Sequence, residues 1–131
     1  MVLDTSALLA LLLNEPEAAT FARALEADPV RLLSAANLVE TSIVIEARVG
    51  EAGGRELDLL VHKAAIEVVA VDAAQAELAR DAYRQFGKGR HAAGLNYGDC
   101  FAYALALSSG EPLLFKGDDF GKTDVSVAAR Q

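Results

Sequence analysis

Four short apolar runs, "MVLD", "VRLLS", "IEVVAVD" and "PLLFK", punctuate this chain, and long stretches of helical periodicity separate them. Strands divided by helices cannot pair as tight hairpins. They lie parallel, and the intervening helices cross over and cover the sheet. An α/β fold follows, with a central, mainly parallel sheet and helices on both faces. The helical patterns are "TSALLALLLN", "PEAATFARALEAD" with Pro16 at its start, "NLVETSIVIEARV", "RELDLLVHKAA", "AAQAELARDAYRQF" and "YGDCFAYALALSSG". Gly50, Gly53 and Gly54 mark one helix-to-helix connection, and Gly87, Gly89 and Gly94 another. "DVSVA" reads as a short edge strand. With no repeat and no linker, the chain is expected to be a single domain over residues 1–131.

In a sheet of this kind, ligands gather beyond the carboxyl ends of the strands, where the strand order reverses. Acids stand at those positions. Asp4 closes the first strand. Glu40 follows the second, three residues after Asn37, and Asp99 stands three residues after Asn96 at the start of a helix. Asp118 and Asp119 follow "PLLFK". Each alone has a local explanation, because Asn37–Glu40 and Asn96–Asp99 have the spacing of a helix capping box, and Asp is common in turns. Gathered on one rim they are harder to dismiss: two carboxylates about 5 Å apart repel by roughly 3 kcal/mol at an effective dielectric of about 20. Such a group needs protons or a cation. Oxygen ligands suit a hard ion, Mg2+ or Mn2+, and no Cys/His spacing suggests zinc. His62, in a helical pattern, and His91, in a basic loop, do not read as ligands. A carboxylate-held metal suits phosphodiester hydrolysis, since it acidifies water and balances charge on phosphate oxygens.

The net charge of −7 excludes a generally basic, nucleic-acid-coating surface. A nucleic acid would be met through bound cations and one basic stretch, "RQFGKGRH", which groups Arg84, Lys88, Arg90 and His91 around two glycines. Arg84 alone is also accounted for as a cation at a helix end. Tyr83, Phe86 and Tyr97 near this loop could stack on bases or simply pack. The single cysteine, Cys100, rules out an intrachain disulfide and fits a reducing cytoplasm. The longest apolar run, "SALLALLL", is too short to span a bilayer, and no membrane association is expected. Leu8, Leu9, Leu11, Leu12 and Leu13 make the first helix apolar over more than one stripe, which suits either a partner or core burial.

The segments "VLDTSALLALL", "LVETSIV", "GLNYGDCFAYALA" and "LLFKGDDFGKTDV" closely resemble the PIN-domain ribonucleases, specifically the VapC toxins of VapBC toxin–antitoxin pairs. The similarity runs over nearly the whole chain, with the motifs in the family's order. It implies a three-layer α/β/α fold and a Mg2+- or Mn2+-dependent endoribonuclease that hydrolyses RNA phosphodiesters with a metal-activated water. By the same resemblance Asp4, Glu40 and Asp99 are metal ligands, and Ser6 and Asn96 support the site. The last motif departs from the family pattern: Gly117 stands where the first of two acids is usual, and Asp119 matches the second, which favours Asp119 over Asp118 as the fourth acid. Lys88, Arg90 and Lys116 are candidate RNA contacts, Lys116 alternatively ending a strand in solvent. The resemblance further implies a cognate VapB-type antitoxin and a homodimer. Two other readings are a catalytically silent α/β binding module whose acids only cap helices, and a receiver-type phosphoacceptor domain centred on Asp72.

Overall fold

A computed structural model describes residues 1–129. Its sheet consists of β1 (Val2–Leu3), β2 (Leu32–Ser34), β3 (Glu67–Val69) and β4 (Leu113–Leu114), all parallel, in the order β3-β2-β1-β4. Val2 stands in register with Leu32 on one side and Leu113 on the other. The chain steps outward from β1 to β2 and β3, then returns past β1 to add β4 on its far side. The order therefore reverses between β1 and β4, and the crevice at their carboxyl ends is where such folds place ligands.

The helices are α1 (Thr5–Leu12), α2 (Ala18–Ala27), α3 (Ala35–Val49), α4 (Glu51–Lys63), α5 (Ala73–Phe86) and α6 (Tyr97–Ser109), with a closing 3-10 turn at Phe120–Lys122. Alternation along the strands divides the core in two, as a pleated sheet must. Val2, Leu113 and Phe115 join Ala79, Phe86, Ala102 and Tyr103 of α5 and α6 on one face. Leu3, Leu33 and Leu114 join Leu8, Phe21, Leu25 and Leu57 of α1, α2 and α4 on the other. The expected three-layer α/β/α fold is thus the observed one.

Several local expectations are corrected. Helix α2 begins at Ala18, two residues beyond Pro16. Gly53 and Gly54 lie inside α4 and do not connect helices; Gly50 alone turns the chain, with φ 77°. Gly53 is small because α3 crosses close by: a Cβ there would come within 2.6 Å of the Val49 side chain. "DVSVA" forms one parallel bridge, Leu113 with Val127, and no continuous strand. Leu8 is fully buried and Leu11 and Leu12 pack against the core, so core burial explains most of the α1 leucines.

Candidate active site

Asp4 ends β1 and caps α1. Its Oδ2 accepts from the Ser6 backbone N–H at 3.0 Å and from the Ser6 hydroxyl at 2.6 Å. Ser6 Oγ in turn accepts from the backbone N–H of Lys116, just past β4, at 2.9 Å. Ser6 therefore ties the ends of the two strands that flank the crevice to one carboxylate. Asp4 Oδ1 is buried with no hydrogen-bond partner. Burial, reinforced by the Glu40 charge and partly offset by the Ser6 bonds, pushes the Asp4 carboxyl up to about 6.

Helix α3 begins at Ala35, capped by the Ser34 side chain, so Asn37 is not an N-cap and no Asn37–Glu40 capping box forms. Asn37 lies in the first turn and is completely buried. Its amide donates to Glu40 Oε1 at 3.2 Å and to the Gly98 carbonyl of α6 at 3.0 Å. The Thr5 hydroxyl also donates to Glu40 Oε1, at 2.5 Å, and the Thr41 hydroxyl reaches Thr5 at 3.2 Å. Glu40 thus has one oxygen fixed by α1 and α3. Its other oxygen lies over Gly98, where an added Cβ would come within 2.1 Å of Oε2. Glycine at 98 is a condition for Glu40 to occupy this position.

Asn96 and Asp99 do form a reciprocal capping box: the Asn96 side chain accepts from the Asp99 N–H at 2.9 Å, and Asp99 Oδ2 accepts from the Asn96 N–H at 3.0 Å. Asp99 serves as more than a cap. Burial first, then the charge of Asp4, with further contributions from Glu40 and Asp119, raises its carboxyl to about 7. Asp119 is therefore within electrostatic reach of this group. Asp118, also exposed, instead borders a separate depression with Phe115, Gly121 and Lys122. Among the described residues, no three Asp, Glu, His or Cys side chains already meet as a metal cage. The acids ring the rim as separate carboxylates, and Asp4, Glu40 and Asp99 are each held by hydrogen bonds of their own.

Lys116 turns away from the acids, its ammonium pairing with Glu15 at 3.2 Å and Glu17 at 3.4 Å. Lys88 and Arg90 are exposed, and Arg90 lies 5.7 Å from the centre of the Tyr83 ring. Arg84 is paired with Asp81 on its own helix. Phe86 is buried against Tyr103 and His91, so it packs and cannot stack on a base, whereas Tyr97 is 79% exposed. His91 Nδ1 accepts from the Ala93 N–H, which occupies that nitrogen. Asp72 caps α5 beyond the edge strand β3, far from the middle-strand position a phosphoacceptor requires. Sequence reasoning missed Thr5, Thr41 and Gly98, and read Asn37 only as a helix cap. The polar run around "VETS" was the available signal; the contact of Asn37 with Gly98 spans 61 residues and had none.

The PIN domain family model matches residues 1–126. The chain belongs to the PIN-domain family. Its similarity falls within the VapC branch: it is 63% identical to ribonuclease VapC30 of Mycobacterium tuberculosis over 129 residues, 98% of each chain. It is also 63% identical over 127 residues to ribonuclease VapC of Mycolicibacterium smegmatis, covering 97% of this chain and 98% of that one. The crystal structure of VapC20 from M. tuberculosis has the same PIN fold, with a TM-score of 0.80 at 20% identity over 99% of this chain and 98% of that one. Family membership thus agrees with the resemblance carried by the four motifs.

Proposed function

We propose that this VapC-family chain is an Mg2+- or Mn2+-dependent endoribonuclease and the toxin of a toxin–antitoxin pair. The observation that carries the reading is the convergence of Asp4, Glu40, Asp99 and Asp119, from four separate segments, on the crevice where the strand order reverses. Asp4 and Asp99 cap helices, which a silent binding module would also use, but Glu40 caps nothing and is held in place by Thr5, Asn37 and the missing side chain of Gly98. The relatives named above bear the name ribonuclease.

The residues present fit a hard divalent cation. Asp4 Oδ1 is a buried carboxylate oxygen without a partner, and the charges of Asp4, Glu40 and Asp119 help raise Asp99, so a positive charge would relieve both conditions. Asp4, Glu40 and Asp99 would hold the ion, with Asp119 as the fourth acid in preference to Asp118. Once bound, the ion supplies Lewis acidity that lowers the pKa of water and balances charge on a phosphate. The chain's own residues do the positioning. Ser6 fixes Asp4, Asn96 fixes the backbone ahead of Asp99, and Thr5 with Asn37 leaves one Glu40 oxygen free to face the site. Lys88 and Arg90 hold the RNA backbone; Lys116 reaches a phosphate only by leaving Glu15 and Glu17.

The same reading assigns a VapB-type antitoxin, a homodimer and a cytoplasmic location. Val39 and Ile43 of α3 are 58% and 65% exposed, an apolar stripe that association would cover. Leu9 of α1 and Leu13 just after it are half-buried and leave apolar surface for an antitoxin segment. Among the described residues no helix is long and apolar enough to cross a membrane. The test is incubation of total RNA with partner-free protein in Mg2+ or Mn2+, beside EDTA and Asp4→Asn controls. Discrete fragments in the first alone bear the proposal out; intact RNA from folded, Mn2+-binding protein refutes it.

A further inference from the structure

Lys116 is built into the fold at both ends. Its backbone N–H donates to Ser6 Oγ at 2.9 Å, and the Ser6 hydroxyl donates to Asp4 Oδ2 at 2.6 Å. Its ammonium lies 3.2 Å from Glu15 and 3.4 Å from Glu17, in the turn that joins α1 to α2. We propose that Lys116 is a positioning residue of the metal site: clamped by Glu15 and Glu17, it holds the chain beyond β4 so that Ser6 orients Asp4 and the following loop presents Asp119. The inference rests on the metal-site reading above and gives Lys116, Glu15 and Glu17 a role that needs no contact with RNA.

Three observations support this role. The first is where the sheet stops. The last backbone rung between β1 and β4 runs from the Asp4 N–H to the Leu114 carbonyl at 3.0 Å. Two residues further on, beyond the strand, Lys116 meets Ser6. Gly117 follows with φ 100° and turns the chain toward Asp118 and Asp119. Phe120, buried with its ring 5.2 Å from that of Phe115, anchors the far end of this loop, and Lys116 is the near anchor.

The second is the rigidity of the seat. The Glu15 N–H donates to the Ala10 carbonyl and the Ala18 N–H to the Glu15 carbonyl, both at 2.9 Å, and the Phe21 N–H donates to the Glu17 carbonyl at 3.0 Å. Phe21 is itself fully buried, so both glutamates are referred to the core. The third is charge. A lone exposed ion pair contributes little, but here one half-buried ammonium serves two carboxylates, and Glu17 Oε2 is buried. Lys116 is thereby committed to the α1–α2 turn.

The test is Mn2+ affinity by calorimetry, measured without RNA. Lys116→Met is expected to bind Mn2+ about tenfold more weakly, the loss usual when support behind a metal ligand is removed, and Lys116→Arg to bind as wild type does. Charge alone acts in the opposite direction, because removing a cation near the acids favours Mn2+. Glu15→Gln with Glu17→Gln should show the same tenfold loss, and adding Lys116→Met to that pair should add none. In the metal-free paired variant the Lys116 amide should exchange with solvent at least tenfold faster than in wild type, since its bond to Ser6 is loosened. Unchanged or tighter Mn2+ binding by Lys116→Met overturns the proposal, as does a further tenfold loss when it is added to the glutamine pair. If Lys116→Met does not fold, the triple variant, whose clamp carries no charge, takes its place, and wild-type affinity there overturns the proposal equally. A raised KM for RNA with unchanged Mn2+ affinity would give Lys116 to substrate binding instead. Metal-dependent cleavage by the wild type, run in parallel, separates the two readings: cleavage with unchanged Mn2+ affinity in the variants removes the clamp alone, and the expected loss of Mn2+ affinity without wild-type cleavage removes the ribonuclease reading alone.

Discussion

Replacing Asp4 by asparagine should make the metal-free protein more stable at neutral pH and slightly less stable in acid. Burial raises the folded-state carboxyl from 3.8 to about 6. Between these two values the folded protein holds a proton that the unfolded chain releases, so stability falls as pH rises from about 4 to about 6. Above that window the ionised carboxylate carries the full cost, about 3 kcal/mol for a displacement of this size; at pH 4 the cost is only about 0.5 kcal/mol. Asparagine has no such ionisation, caps α1 as well as aspartate does, and can accept the Ser6 bonds through its carbonyl. Its amide would stand where Oδ1 is now buried without a partner, at a cost of about 1 kcal/mol. The net gain is about 2 kcal/mol at pH 7.5, against a loss of about 0.5 kcal/mol at pH 4. Urea unfolding at these two pH values, on either side of the pI near 4.7 where solubility is least, reads the difference as a midpoint shift of about 1 M at pH 7.5. Adding Mn2+ should stabilise the wild type and leave the variant unchanged. An Asp4→Asn variant less stable than wild type at pH 7.5 in EDTA, or a difference independent of pH, would refute the account of this buried acid.

Gly98→Ala should favour the helix and still abolish activity, because its Cβ would occupy the space of the Glu40 carboxylate; RNA cleavage and Mn2+ affinity should each fall at least tenfold while the circular dichroism spectrum is retained. Asn37→Ala removes the amide that donates to Glu40 within α3 and to the Gly98 carbonyl of α6, and should cost about 1–3 kcal/mol in urea unfolding, with a parallel loss of Mn2+ affinity. Asp119→Asn should weaken Mn2+ binding in calorimetry and Asp118→Asn should not; the opposite result would exchange their roles. Phe21→Ala empties a fully buried position between α2 and the sheet and should destabilise by about 3–5 kcal/mol without altering the Mn2+ affinity of protein that remains folded.

The sequence by itself determined the layering. Short apolar runs divided by helical periods admit little besides a parallel sheet covered on both faces, and Asp4, Asp99 and the Asp118–Asp119 pair stand after strands or at helix starts whatever the strand order. The Asn96–Asp99 box was also legible, because capping is a local interaction between residues three apart. The same spacing misled at Asn37 and Glu40. Ser34 offers a cap three residues earlier, and the Asn37 amide finds its partner on α6. Only tertiary structure decided that β4 returns to the far side of β1, which opens the crevice beside Asp4. It also decided that Gly98 makes room for Glu40 and that Lys116 turns to Glu15 and Glu17. These outcomes depend on contacts between residues distant in sequence, whose pairing is set by which strand neighbours which, and periodicity, capping and turn chemistry carry no information about that order.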